Sequence, residues 1–421
     1  MTTVSAELDP RPTVAAGAGL PLAAAALAAA ASTSAILGLP AVMPQLIEAF
    51  GISYARAGLI VTVLWVPHAL SQAAGGWWGH TAGVGRLLRW SLAGLAGLLA
   101  LSLVAPSYPV LVGLRIATGG ATGAVFVLAV LFAAEQADPA AQRGPQALVG
   151  AAAYVGCAVA YAAIALIQGV AGWRAGYLPT LVFVLCALVL LPAAPPPRAG
   201  REAAHARLPL RSAWPLVWRG RVAVLAMAHL CSFGIFVVVA SWLTAYFVRR
   251  GDLGAAGNLY VGAAVLAAGA LGRFAGGALL GRVGDRALVM EALACSGAAL
   301  AALAFSPSFP VAVALAGLVL AICSVTYGSV VALALGGRPP AEAGAAVAWM
   351  LLLSNLCGAG LPAVVGWLVD ATGSFGPGFA LLAGLTGVAV AALPLHPQPA
   401  PDGAPAAGVR RAVAEVAPTI R

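Results

Sequence analysis

The chain predicts an all-α membrane protein of twelve transmembrane helices, arranged as two pseudo-symmetric six-helix bundles. Three observations carry that expectation. The sequence repeats itself at a constant offset: Pro106-Ser107-Tyr108-Pro109-Val110 falls on Pro307-Ser308-Phe309-Pro310-Val311, and Gly76 with Gly83 falls on Gly277 with Gly284. Two homologous halves follow, because repeated sequence marks repeated structure. Hydrophobic residues are 62% of the 421-residue chain and charged residues 8%, with a mean hydropathy of +0.98, too apolar for a water-soluble surface. The apolar runs also have the length of about 20 residues that a bilayer-crossing helix needs.

Pro, Gly and Arg divide the first half into spans at about 20–47, 57–79, 87–105, 109–134, 145–169 and 174–192. The second half gives about 220–248, 257–280, 287–305, 309–335, 343–369 and 376–394. The first, fourth, seventh and eleventh runs exceed the bilayer requirement, so tilt is expected there. The domain reading is therefore a tail over 1–19, a six-helix bundle over 20–192, a linker over 193–219, a second bundle over 220–394 and a disordered tail over 395–421. The linker opens with Pro195-Pro196-Pro197 and is polar and basic, and the last segment is rich in Pro and Ala. Fifty-one glycines fit close helix approach in lipid.

The net charge of +9 comes from arginine alone. Arg86, Arg89, Arg143, Arg198, Arg201, Arg207, Arg211, Arg219, Arg221, Arg282, Arg286 and Arg338 share one parity of loops, whereas Arg56, Arg174, Arg249 and Arg250 occupy the other. The positive side is expected in the cytoplasm with both termini, in a bacterial-type inner membrane. The start of the chain has Glu7 and Asp9 and no basic n-region, so the first span is read as a retained anchor. Charges confined to loops between spans exclude nucleic acid as a partner. The bilayer and a small-molecule substrate are the expected partners, with a coupling proton as a third and a monomer as the expected state. Cys157, Cys186, Cys231, Cys295, Cys323 and Cys357 all lie in apolar stretches, which implies no disulfide framework.

Several local patterns, taken in order, resemble the major facilitator superfamily of secondary transporters along nearly the whole chain. Gly76-Trp77-Trp78-Gly79-His80-Thr81-Ala82-Gly83-Val84-Gly85-Arg86 is similar to the family's signature between the second and third helices. Gly277 to Arg286, with Gly281, Gly284 and Asp285, is similar to its copy in the second half. Arg115 with Gly119, Gly120 and Gly123 resembles the fourth helix, Gly172-Trp173-Arg174 the start of the sixth, and Gly358 to Gly373 the eleventh. The resemblance implies alternating access and a role for the signature residues Gly76, His80, Gly83, Arg86, Gly277, Gly281, Gly284, Asp285 and Arg286 in gating. His80 and Gly281 stand where the family has its signature Asp, so the carboxylate that would face a helix N-terminus is missing there. The fifth span, Gly150 to Gly169, has no proline, unlike the Gly-Pro pattern of many drug/proton antiporters of the family.

Ionisable residues inside a span are costly and mark function. Every acid, including Glu48, Glu135, Glu291 and Asp370, lies in a loop, a tail or near a span end, which argues against a buried carboxylate as proton carrier. Arg273, in the eighth span, has no obvious acidic partner, and its planar fork suits an anion. The resemblance adds that oxalate, organophosphate and nitrate carriers bind their anion with an arginine on this helix; the plainer reading is a helix-to-helix contact through carbonyls. Arg115 matches the family's fourth-helix arginine, against the alternative of a snorkelling side chain. Gln72 aligns with Arg273 across the repeat and could supply a neutral donor. His68 and His229 could carry protons where carboxylates cannot, against the commoner role of a packed, bonded histidine.

Polar residues placed to orient a substrate are Ser32, Thr33, Ser34, Tyr154, Ser232, Ser324, Thr326, Tyr327 and Asn355, although most Ser and Thr in such helices bond back to their own turn. Met227, His229 and Cys231 have soft-ligand character, but residues two apart point nearly opposite ways, so no metal site is expected. No nucleophile, phosphate loop or cofactor motif points to an enzyme. The favoured function is transport of a small organic or inorganic anion by a secondary transporter. Proton-coupled export of a lipophilic compound and a non-transporting membrane sensor or assembly factor are the alternatives.

Overall fold

The computed structural model describes residues 18–137, 143–191, 214–218, 222–250, 253–279, 282–336 and 340–395. Twelve spans appear in the expected order: α1 Gly19–Ala41, α2 Tyr54–Ala82, α3 Val84–Leu103, α4 Tyr108–Glu135, α5 Arg143–Ala171 and α6 Leu178–Leu190, then α7 Val222–Arg250, α8 Ala255–Leu279, α9 Asp285–Ala304, α10 Phe309–Leu335, α11 as Pro340–Ala359 continued by Leu361–Thr372, and α12 Gly376–Ala392. Ten of these pass a length-and-hydropathy test for crossing a membrane unaided. The other two are α2, which is entered through a 115° bend from the short helix Met43–Phe50, and α6, which is 13 residues long. Most of the two tails and the linker assigned from the sequence lies outside the described residues. Pro215–Trp218, at the end of that linker, is a helical turn whose Trp214 stacks on Trp349 of α11 at 4.9 Å.

The long runs differ from expectation in being broken rather than simply tilted. Pro40 sits inside the last turn of α1, where it has no N–H to offer the carbonyl of Ile36 four residues back. A π turn over Leu230–Gly234 interrupts α7, Thr326 interrupts α10, and Gly360 followed by Pro362 interrupts α11. Three of the four breaks fall in the second half, so the repeat in sequence becomes an asymmetric pair of bundles.

Glycine sets how closely helices approach. A Cβ on Gly119 of α4 would lie 2.1 Å from the carbonyl oxygen of Leu64 on α2, and one on Gly272 of α8 would lie 2.0 Å from that of Ala321 on α10. The same helix pair in each half is thus closed by backbone-to-backbone contact, with the glycine on opposite partners. Without a hydrophobic drive in lipid, that dispersion contact is what holds the pair. Gly119→Val is expected to cost about 1–3 kcal/mol by overpacking and to lower the melting midpoint of the purified protein. Gly120→Val, where nothing lies within 4 Å, should leave it in place; equal midpoints for the two variants would refute this packing account.

The halves meet tightly at the end of the bundle opposite the linker. Gly58 of α2 approaches Pro362 of α11, and Gly366 of α11 approaches Tyr54 of α2; an added Cβ would be 2.3 Å from a carbonyl oxygen in both cases. Asp370, in the last turn of α11, accepts from the backbone N–H groups of Tyr54 and Ala55 at 2.9 and 2.8 Å. A carboxylate from one half therefore caps the first turn of a helix from the other, satisfying donors that have no intrahelical partner and complementing the dipole. Arg249 stacks over Tyr54 at 5.3 Å on the same seam.

Asp370→Asn removes the charge and one acceptor from an exposed clamp. The expected shift is about 0.3–1 kcal/mol, seen as a larger long-distance population between spin labels at Val104 and Leu253, both exposed at that end, in a background lacking exposed cysteines. An unchanged distance distribution would mean that the clamp does not bias the two halves.

Candidate functional site

Between the bundles, the interrupted helices bring polar and aromatic side chains together. Arg273, six residues before the end of α8, places its guanidinium 3.6 Å from the ring centroid of Tyr327 and 5.6 Å from that of Tyr154. Tyr327 follows the break in α10, and Tyr154 comes from α5 of the opposite half. The Nη1 atom of Arg273 is buried and has no hydrogen-bond partner. Gly150 on α5 lets the side chain lie along that helix, since a Cβ there would be 3.7 Å from Arg273 Nη2. The guanidinium is thus held by aromatic faces and backbone, with donor capacity unused.

His229 ends the first segment of α7, immediately before the π turn. Its Nδ1 lies 2.7 Å from Ser354 Oγ on α11, its ring centroid lies 5.6 Å from Tyr327, and its Nε2 is buried without a partner. Single-turn π bulges recur at functional sites because they redirect side chains that a regular helix would stack. Aromatic rings continue the wall across the halves. Phe233 packs on Trp65 of α2 at 5.8 Å and parallel to Phe236 at 6.3 Å, and Phe236 meets Tyr154 at 4.9 Å.

Other candidates are separated from this group or already satisfied. His68, stacked on Trp65 at 5.3 Å, uses both ring nitrogens, Nδ1 with Thr122 Oγ1 at 3.0 Å and Nε2 with Gln72 Nε2 at 3.1 Å. Gln72 is therefore engaged by its own helix. Arg115 is 0% exposed, which rules out the snorkelling alternative; it donates to the carbonyls of Ala35 at 2.7 Å, Ile36 at 3.2 Å and Ile60 at 3.4 Å. Asn355 is buried on α11 beside Ser354. Among the small polar residues, Thr33, Ser34, Ser232, Ser324 and Thr326 bond back to their own helices, whereas Ser32 reaches from α1 to the carbonyl of Thr122 on α4. Sequence reasoning missed Trp65, Phe233, Phe236 and Ser354. Trp65 lies three residues before His68, and Phe233 and Phe236 are three apart, spacings that share a helix face; nothing in the sequence marked the π turn that aims the two phenylalanines.

A family model described as Major Facilitator Superfamily matches residues 22–360. The chain belongs to that superfamily. No curated protein matches it in sequence. Solved structures match its fold at low identity: a D-xylose–proton symporter at 16% identity, TM-score 0.74, covering 90% of this chain and 97% of that one. A bacterial homolog of the human lysosomal transporter Spinster, in an inward-facing and occupied conformation, gives 16% identity and a TM-score of 0.74 over 89% and 96% of the two chains. The nucleoside transporter NupG gives 12% and 0.72 over 90% and 100%. The protein is thus a multi-pass membrane transporter of the superfamily and not an enzyme.

The superfamily's signature loops are partly described. Gly76 and His80 belong to the last turns of α2, and Gly83 ends that helix with φ of 86°, a conformation natural to glycine. Arg86 Nε donates to the carbonyl of Ala82 at 2.9 Å, covering an orphan acceptor at the end of α2. In the second half Gly277 is in the last turn of α8, and Gly281 lies outside the described residues. Gly284 precedes α9, and Asp285 in its first turn accepts from Ser329 of α10 at 2.7 Å, with Arg286 following it.

Proposed function

We propose that this transporter moves a small organic anion across a bacterial-type cytoplasmic membrane by alternating access, with Arg273 as the anion-binding residue. Secondary transport of a small molecule follows from the family; the anion is the new element. One observation carries it: a buried guanidinium atom without a partner, Arg273 Nη1, at the interface between the halves. A desolvated cation with spare donors is stabilised most by a carboxylate, which accepts in the fork geometry that guanidinium presents. The aromatic wall of Trp65, Phe233 and Phe236 favours an organic anion over an inorganic one, since it offers apolar contact and few donors. The arginine asymmetry of the loops supports placing both termini and the linker in the cytoplasm, and the sequence boundaries of the two bundles serve as the domain division.

Counterflow in proteoliposomes loaded with acetate, benzoate or oxalate tests the reading. Wild type is expected to exchange at least one of these labelled anions, and Arg273→Lys, which keeps the charge and loses the planar fork, to exchange it more slowly. Exchange of a neutral lipophilic compound with none of the anions would overturn the anion reading in favour of lipophilic export.

A further inference from the structure

His229 has one half of its ring engaged and the other half free. Ser354 Oγ lies 2.7 Å from His229 Nδ1 and also donates to the carbonyl of Leu351 at 3.0 Å. A serine hydroxyl has one hydrogen. Directed at Leu351, it leaves Oγ able only to accept from Nδ1, so Nδ1 carries the ring hydrogen and the lone pair of the neutral ring is on Nε2. That atom is buried and unpartnered. The other membrane histidine makes the contrast. Thr122 Oγ1 donates to the carbonyl of Gly119 at 3.0 Å and accepts from His68 Nδ1, while Gln72 Nε2 donates to His68 Nε2. Both nitrogens of His68 are engaged, and a proton has nowhere to go.

The groups that face His229 set what its free nitrogen can do. Tyr327 from α10 is 5.6 Å away between ring centroids, Arg273 from α8 lies within electrostatic reach, and α11 presents Ser354. On its own helix Phe233 adjoins the ring, while Cys231 is directed to the carbonyl of Leu385 on α12. The α12 segment Gly376–Ala392 contains no ionisable residue. A neutral His229 therefore points a lone pair at a pocket whose one fixed charge is a guanidinium.

We infer that His229 Nε2 is the proton-binding atom of anion–proton symport: it takes one proton from water as Arg273 takes one carboxylate, and both are released on the other side. This rests on the anion reading above. A carboxylate entering beside Arg273 meets an acceptor at Nε2 while the ring is neutral, which repels it. Once Nε2 is protonated it becomes a second charge-assisted donor, and two cations close together are tolerated because the anion lies between them. Proton and anion thus favour each other's binding by reciprocal coupling. No bond other than N–H is made or broken, and one anion with one proton carries no net charge.

The test is calorimetric titration of the purified full-length protein at pH 7 with acetate, benzoate and oxalate, in phosphate and in Tris. The difference in heat between buffers counts protons taken up per anion bound, and about one is expected. His229→Gln keeps a hydrogen-bonding group and should bind the same anion with proton uptake abolished. Binding by wild type without proton uptake overturns the coupling and leaves the anion reading standing. Uptake that survives in His229→Gln also overturns it. If wild type binds none of the three anions, the anion reading falls and this inference falls with it.

Discussion

Arg273→Ala is expected to weaken binding of the transported carboxylate by about 2–5 kcal/mol, the penalty for truncating one member of a desolvated, hydrogen-bonded charge pair. That corresponds to a loss of affinity between about thirtyfold and several thousandfold. Arg273→Lys should fall between the two, because an ammonium keeps the charge but gives up both the fork and the flat stacking on Tyr327. The melting midpoint should move little. Arg273 Nη1 has no protein acceptor to orphan, and its aromatic contacts to Tyr327 and Tyr154 are the only stabilising partners whose loss bears on folding. Titration of benzoate, acetate or oxalate into the purified variants, alongside their midpoints, reads both quantities. Normal affinity in Arg273→Ala removes this residue from the site; a variant that loses its fold assigns Arg273 to structure.

Arg115→Leu is expected to act in the opposite way, lowering stability rather than specificity. Arg115 joins α4 to the end of α1 and to α2 by three carbonyl contacts, and the contact to Ile36 has a particular cause. Pro40 cannot donate to that carbonyl, so removing the guanidinium leaves Ile36 O orphaned in a waterless interior at about 1–3 kcal/mol. Restoring an N–H with Pro40→Ala should recover part of the loss. Thermal midpoints of the single and double variants form a cycle, and an interaction energy of about 0.5 kcal/mol or more is expected between residues that share one acceptor. Strict additivity would show that Arg115 does not serve as the substitute donor for Pro40.

Much of the architecture was legible before any coordinates. The offset repeat and the apolar runs led to twelve helices in two halves, because in a bilayer every backbone polar group must be satisfied within its own helix and length follows from thickness. The breaks were less legible. Pro40, Gly360 and Pro362 are visible as residues, yet the π turn after His229 and the interruption at Thr326 have no local marker; they arise where side chains from α11, α5 and α8 compete with the helix's own packing. Asp370 carried no assignment beyond being an acid near a span end. Its partner is the first turn of α2, distant in sequence and in the other half, so no pattern along the chain could reveal it.

His68 and His229 show the division most plainly. Composition and position gave the two histidines the same chemistry, an imidazole in the middle of an apolar span. Only the neighbours supplied by other helices distinguish them: Thr122 and Gln72 occupy both nitrogens of one, and Ser354 occupies a single nitrogen of the other. By itself the sequence determined that this protein crosses the membrane twelve times in two related halves and belongs among secondary transporters, since those properties depend on length, hydropathy and repeat, which are one-dimensional. Tertiary structure alone decided which buried polar atoms were left without partners, because hydrogen-bond saturation depends on distances of a few ångströms between helices far apart in the chain.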